Sequence, residues 1–307
     1  MTKSAFLFPG QGSQKIGMLA ELAAANPVVE QTFDEASEVL GYDSWTLVQS
    51  GEQEQINLTE RTQPLLLTAS IAIWRLWQQL GGAQPAVVAG HSLGEWSALV
   101  AAGTVEFAAA VEIVRQRGAA MQRAVPVGAG AMAAIIGLDD DKIIAACAAA
   151  EQGEVVSAVN FNAPGQVVIT GAAAAVERAI AGCKESGAKR ALPLPVSVPS
   201  HCALMHPAAE KLAAALQLVE IQNPSIPVIN NVDVTAETDA ARIKDALVRQ
   251  LFSPVRWTEI VENMANTGIE FEVEMGPGKV LTGLTKRIVK TLDAAAVNDV
   301  ASLDAVK

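Results

Sequence analysis

Residues 85–94 read Pro-Ala-Val-Val-Ala-Gly-His-Ser-Leu-Gly. Val87 and Val88 are apolar and β-branched, the profile of a buried strand near its end. Gly90-His91-Ser92-Leu93-Gly94 then matches G-x-S-x-G, the pattern over 95–102 is helical, and Gly103 is placed to stop it. This strand–turn–helix order puts Ser92 on a sharp turn with its hydroxyl outward. The two glycines let neighbouring backbone approach the turn. Free N–H groups at the start of the following helix, together with its dipole, favour an oxyanion there. An ordinary strand-to-helix turn would satisfy the pentapeptide alone. With these flanks the reading is an activated nucleophile in an α/β fold.

The rest of the chain bounds the setting. Its 307 residues, 50% hydrophobic and 18% charged, suffice for one large α/β domain or a main domain with a smaller one. A net charge of −11 disfavours a general nucleic-acid or anionic-membrane surface. Cys147, Cys183 and Cys202 are odd in number and lack metal-ligand spacing, which suits a reducing cytoplasm. The first apolar run, at 5–8, is broken by Pro9-Gly10 and is too short for a signal peptide. No run reaches the ~18 apolar residues of a membrane span. A cytoplasmic protein with no nucleic-acid and no membrane partner is expected.

Working outward from the elbow, a first strand at 5–8 feeds the turn Pro9-Gly10-Gln11-Gly12-Ser13-Gln14. Helices are expected at 17–25, 28–40, 63–80 and 105–122, with a polar loop at 49–59. Leu66, Ile73, Trp74 and Trp77 give the third of these an apolar face. After a hinge at 127–130 come a strand at 132–138, a helix capped by Asp139 and running to 151, and strands at 155–160 and 166–170. A helix at 173–186 and an extended run at 189–198 complete a β-α-β-β-α-β order, the ferredoxin-like arrangement. Alternation then resumes, with helices at 206–217, 239–251, 256–266 and 279–290 and strands at 227–230, 269–274 and 295–297. The expected architecture is an α/β-hydrolase-like core with a parallel sheet, residues 1–126 and 199–307, carrying an inserted ferredoxin-like unit at 127–198.

A serine hydroxyl needs a general base beside it. The chain has three histidines, His91, His201 and His206. His91 adjoins Ser92 on the turn and reads as structural. His206 opens a helix ahead of Pro207, and spacing gives His201 only a modest advantage over it. No acid between serine and histidine is an obvious orienter. Asp139 to Asp141, Glu151, Glu154 and Glu177 read as caps or solvated faces, and a carbonyl can orient a histidine equally well. Cys202, next to His201 in extended chain, reads as a small buried residue. The first loop carries lysine at position 15, where a dinucleotide fingerprint needs glycine, and lacks a P-loop ending. It is placed instead to supply a second oxyanion N–H. Arg115 and Arg117 are two apart on a helix, so at most one faces inward, where a guanidinium suits a carboxylate.

Phe8-Pro9-Gly10-Gln11-Gly12-Ser13-Gln14, Gly90-His91-Ser92-Leu93-Gly94-Glu95, Arg117, Pro199-Ser200-His201 and Gly276-Pro277-Gly278 occur in the order and spacing of another group of proteins. Over essentially its whole length the chain resembles the malonyl-CoA:acyl carrier protein transacylases of bacterial fatty acid synthesis. The resemblance implies that Ser92 is the acylated nucleophile and His201 the base, oriented by the backbone carbonyl of Gln250. It implies an oxyanion hole from the N–H groups of Gln11 and Leu93, with Arg117 on the malonyl carboxylate and Asn160 and Asn162 near the cleft. It implies a ping-pong transfer from malonyl-CoA to the phosphopantetheine thiol of holo acyl carrier protein, by a monomer with no cofactor and no metal. Trp96 stands where tyrosine is common in the family. Val198-Pro199-Ser200-His201 differs from the stretch that separates extender units in polyketide synthase acyltransferases. The competing expectations are a serine thioesterase or esterase on the same machinery and a non-catalytic carrier-binding module. An acidic carrier would need a local basic surface, for which Lys189, Arg190, Lys286 and Arg287 are the candidates.

Overall fold

The computed structural model describes residues 3–196 and 198–307; Ser197, inside the stretch expected to be extended, lies outside them. The first third of the chain forms β1 (Ser4–Phe8), α1 (Ala20–Ala25), α2 (Val28–Leu40), α3 (Ser44–Ser50), α4 (Gln53–Ile56), α5 (Thr59–Gln79), β2 (Val87–Gly90), α6 (Gly94–Ala101) and α7 (Phe107–Ala124). Next come β3 (Gly130–Ile136), α8 (Asp140–Ala150), β4 (Val156–Ala163), β5 (Gln166–Ala172), α9 (Ala173–Glu185) and β6 (Arg190–Pro193). The remainder forms α10 (His206–Leu216), β7 (Val228–Ile229), α11 (Ala240–Gln250), α12 (Trp257–Asn266), β8 (Phe271–Met275), α13 (Val280–Ile288), β9 (Asp293–Val297) and α14 (Val300–Val306). Among the described residues no helix is long and apolar enough to cross a membrane.

The strands sort into two sheets. One is parallel throughout, in the order β7-β2-β1-β8-β9. The strands β7, β2, β1 and β8 are buried on both faces, as parallel strands are when helices cover them, while the edge strand β9 is exposed to half-buried over its first four residues. Alternation divides β1 accordingly: Phe6 and Phe8 enter the core shared with α2, α5 and α7, while Ala5 and Leu7 enter a second core with Trp257, Ile260 and Leu281. The other sheet is antiparallel, in the order β4-β5-β3-β6, with α8 and α9 packed on one face around Ile135, Ile169 and Cys183. A bridge from Asn160 to Val255 joins the two sheets' surroundings.

Several local expectations need correction. The loop at 49–59 contains the end of α3 and all of α4; Asp43 accepts from Thr46 N at 2.8 Å and starts α3, a cap that local polarity conceals. The long α5 begins a turn early and is buried almost all round, because α2, α6 and α7 enclose it. Asp139 does precede α8, yet its side chain makes no cap hydrogen bond and pairs with Lys142 instead. The extended run at 189–198 is a strand only over β6, since Pro193 and Pro195 offer the sheet no N–H. The helix α14, closed by a capping box between Asp299 and Ser302, falls where the sequence pattern is too short to read.

Candidate active site

The loops after β1 and β2 meet at the carboxyl ends of the parallel sheet, where open α/β sheets place ligands. Ser92 sits at φ 52°, left-handed backbone that a side chain rarely adopts. Close packing holds it there. A Cβ on Gly90 would lie 1.8 Å from Gly94 C, and one on Gly94 would lie 1.9 Å from Phe8 O. Neither position can carry a side chain. His91 N–H donates to Phe8 O at 3.0 Å, and Ser92 N–H donates to Asn231 Oδ1 at 2.7 Å.

His201 also has positive φ, 67°, and its N–H donates to Leu251 O. This brings its Nε2 to 2.8 Å from Ser92 Oγ and its Nδ1 to 2.8 Å from Gln250 O. A carbonyl only accepts, so Nδ1 carries the proton and Nε2 is free to accept from the serine hydroxyl. Burial first, and the Arg117 charge second, push the imidazole down to about 3, so it is neutral at pH 7. His206 is elsewhere, stacked on Phe252 with ring centroids 4.2 Å apart. His91 turns away from Ser92, and its Nε2 meets Asn162 Oδ1 at 2.8 Å. Cys202 is buried with its thiol pushed up to about 11 by desolvation, and donates to Pro199 O.

The helix α7 presents its two arginines oppositely. Arg115 pairs with Glu112 at 2.6 Å near the surface. Arg117 is 1% exposed, with Nη1 donating to Gln63 Oε1 at 2.7 Å, Nη2 donating to Gln250 Oε1 at 2.8 Å, and Ser92 Oγ 3.4 Å away. Burial lowers it to about 10, so it stays charged at neutral pH. Gln250 therefore works at both ends. Its carbonyl holds His201, while its side chain holds Arg117 and donates to Ser92 O and Glu95 Oε2.

A cavity of ≈ 140 Å³ opens over Ser92, walled by Gln11, Leu93, Arg117 and His201 on one side and by Met132, Asn160, Leu194 and Val196 on the other. Among the described residues, neither the Gln11 nor the Leu93 N–H donates to another protein group, which leaves both available to an oxyanion. Asn160 Oδ1 likewise has no partner among them. No group of His, Cys, Asp and Glu among the described residues could hold a metal ion. Lys189, Arg190, Lys286 and Arg287 are exposed outside the cavity. Lys286 pairs with Asp293 at 2.7 Å, and Arg287 donates to Gln166, whose β5 position and that of Arg190 both pair with Ile136.

Three side chains of this arrangement escape sequence reasoning: Glu95, Gln63 and Asn231. Glu95 is in plain view beside the elbow, but Ser-x-x-Glu at a helix start reads as a capping box. Here the carboxylate turns inward, accepting from Asn231 N and Gln250 Nε2, each at 2.8 Å. Gln63 looks like one more helical polar residue, and Asn231 falls just beyond the strand expected at 227–230.

The matches to known proteins agree with this geometry. An acyl transferase domain model matches residues 5–305. The malonyl CoA-acyl carrier protein transacylase of Salmonella typhimurium is 64% identical over 305 residues, covering 99% of each chain. A crystal structure of an acyl carrier protein S-malonyltransferase from Vibrio cholerae superposes with a TM-score of 0.98 at 69% identity over 100% of both chains. A malonyl-transacylase solved in complex with its type II polyketide synthase acyl carrier protein has a TM-score of 0.99 at 62% identity, covering 99% of each chain. The chain belongs to the acyl transferase domain family, among the malonyl CoA-acyl carrier protein transacylases.

Proposed function

We propose that the protein moves a malonyl group from malonyl-CoA to the phosphopantetheine thiol of holo acyl carrier protein, through an acyl-enzyme on Ser92. The observation that carries this reading is a serine–histidine pair at 2.8 Å with a buried arginine 3.4 Å from the same hydroxyl. A general esterase has no use for that cation.

Ser92 Oγ attacks the thioester carbonyl and gives its proton to His201 Nε2, whose other nitrogen stays bonded to Gln250 O. Gln11 and Leu93 N–H groups receive the oxyanion, aided by the start of α6. The C–S bond breaks and His201 returns the proton to the CoA sulfur. The carrier thiol then repeats the sequence in reverse. Arg117 takes the malonyl carboxylate through parallel hydrogen bonds. Burial is the main cause of the low basicity of His201 and the Arg117 charge the second; the incoming carboxylate offsets that second cause, so the correct substrate raises the basicity of its own catalyst. Asn160 and Asn162 border the acyl chain, the second through His91.

The architecture fits an α/β-hydrolase-like core, 1–126 and 199–307, with an inserted ferredoxin-like unit at 127–198. The antiparallel order of the smaller sheet and its paired helices support that division. Free, buried cysteines suit a cytoplasmic setting. The exposed basic residues Lys189, Arg190 and Arg287 form our candidate docking face for the acidic carrier.

Mass spectrometry after mixing with malonyl-CoA tests the reading. The wild type gains one malonyl group on Ser92, keeps it in buffer and loses it to holo carrier protein, while Ser92→Ala gains none. Rapid loss to water without carrier would make it a thioesterase. No adduct at all would make it a carrier-binding module, and a label on Cys202 would refute the nucleophile.

A further inference from the structure

Beneath the cleft, Arg117, Gln250, Glu95 and Asn231 form a continuous hydrogen-bonded chain, and they are 1%, 0%, 3% and 0% exposed. The Gln250 amide has one possible orientation in it. Its oxygen accepts from the guanidinium and its nitrogen donates to the Glu95 carboxylate. With Glu95 ionised, the resting site holds one buried cation balanced, across an amide, by one buried anion. The malonyl carboxylate would be a second anion beside the same cation, and a buried charge without its own counter-charge is costly.

We propose that Glu95 is a charge-balancing positioning residue: ionised while Arg117 is unoccupied, it takes a proton from solvent when the malonyl carboxylate pairs with Arg117. Malonylation of Ser92 is thereby coupled to proton uptake at a residue that never touches substrate. This rests on the reading that Arg117 receives the malonyl carboxylate.

The geometry provides for the proton. Both hydrogen bonds to Glu95 end on Oε2, so Oε1 is open to receive it. Glu95 also lines a cavity of ≈ 10 Å³ with Asn230 and Glu237, room for about one water. The Glu237 side chain, which lines that cavity, is 24% exposed and pairs with the exposed Arg242 at 3.7 Å. Burial already holds the Glu95 carboxyl near 7, so one more negative charge nearby tips it to the neutral form.

The charged groups facing it are few. Arg117 comes from α7, Asp233 from the turn after β7 and already paired with Arg249, and Glu237 from beyond that turn. From α11 it meets Gln250, Ile243 and Ala246, all uncharged. The flanking β1 and β2 carry no titratable residue. On α5, Arg75 is engaged with Glu35, and Glu60 and Arg61 lie by Tyr42.

The chemical step itself is proton-neutral: the serine proton passes through His201 to the CoA sulfur, which remains a thiol near pH 7 because ordinary thiols titrate near 8.5. Uptake beyond that is carried by Glu95 on this proposal, and by His201 on the alternative. The test follows a pH indicator in weak buffer during stoichiometric acylation, with acyl-enzyme counted by mass and acetyl-CoA as reference. Relative to acetyl, malonyl acylation should take up about half a proton per acyl group at pH 7, rising toward one at pH 8. In Glu95→Gln, once acyl-enzyme has formed with each donor at whatever rate, the malonyl–acetyl difference in protons should be gone. A deuterium-sensitive carboxylic-acid infrared band, appearing on malonylation of the wild type, identifies the acceptor independently of any variant.

Acyl-enzyme formed with no malonyl–acetyl difference in protons overturns the proposal. So does uptake that persists in Glu95→Gln, which would place the proton on His201. Absence of a Ser92 adduct would instead sink the underlying reading together with this one.

Discussion

Among the described residues two places bury carboxylates, and they differ in what lies beside them. Under Ser92, Glu95 shares its hydrogen-bond chain with Arg117. On β8, Glu272 and Glu274 are 0% and 1% exposed beneath α13 and bond to Thr285 and Thr282. One oxygen of each of these two, Oε1, is without a partner among the described residues. Desolvation raises all three carboxyls, Glu95 and Glu272 to about 7. Glu274 receives Thr282 N in the first turn of α13, so it serves as a cap supplied by a neighbouring strand. Burial alone thus does not mark a functional acid. What sets Glu95 apart is a cation one amide away.

The sharpest way to break the comparison is to remove the cation. Truncating one partner of a buried charge pair costs about 2–5 kcal/mol, so Arg117→Ala should lower malonyl kcat/KM roughly 30- to 3,000-fold. Acetyl transfer, which never used the arginine, should hold level or improve. Measuring both donors decides it, and parallel loss of the two would mean that Arg117 holds the fold rather than the substrate.

The β8 side is tested by stability. A Glu272 carboxyl near 7 instead of its ordinary 4.5 costs the ionised folded state about 3 kcal/mol at pH 8. Its folded-state proton affinity is raised, so this contribution is fully favourable below about 4.5 and is lost as pH rises toward 7. Glu272→Gln should therefore stabilise the protein at pH 8 and do little at pH 4. Urea unfolding at the two pH values checks this, and a pH-independent change would separate the effect from ionisation.

A third experiment probes the amide between the charges. Gln250→Ala keeps the carbonyl that orients His201 but removes the side-chain acceptor of Arg117. Losing a hydrogen bond to a charged group costs about 1.5–3 kcal/mol, or roughly 10- to 150-fold in malonyl transfer. Acetyl transfer should fall less, and His201→Ala should lose roughly 10²–10⁴-fold with either donor. Equal losses with both donors in Gln250→Ala would show that the side chain serves the serine rather than the arginine. The smallest effect belongs to Arg115→Ala, where loss of an exposed pair with Glu112 should leave both activities within twofold or so of wild type.

Much of this was legible along the chain. The elbow is local: Gly90, Ser92 and Gly94 must occur within one turn because the close approach of backbone requires it. The alternation in β1 and the order of strands and helices through 130–193 are local as well. Glu95 escaped because its spacing from Ser92 imitates a capping signal, and Asn231 because it stands just past the strand expected at 227–230, where nothing local marks a side chain that reaches the elbow. The choice of His201 over His206 needed the fold, since both stand near the same helix start and only packing turns one ring onto Ser92 and the other onto Phe252.

The sequence by itself determined the order of the strands and long helices and the strand–turn–helix setting of Ser92, because each follows from residues a few positions apart. Tertiary structure alone decided the partners of the charges. Arg117 meets residues 54 and 133 positions away, and Glu95 meets residues 136 and 155 away. A buried charge is balanced by whichever groups packing brings within about 3 Å of it, and no local pattern encodes that distance.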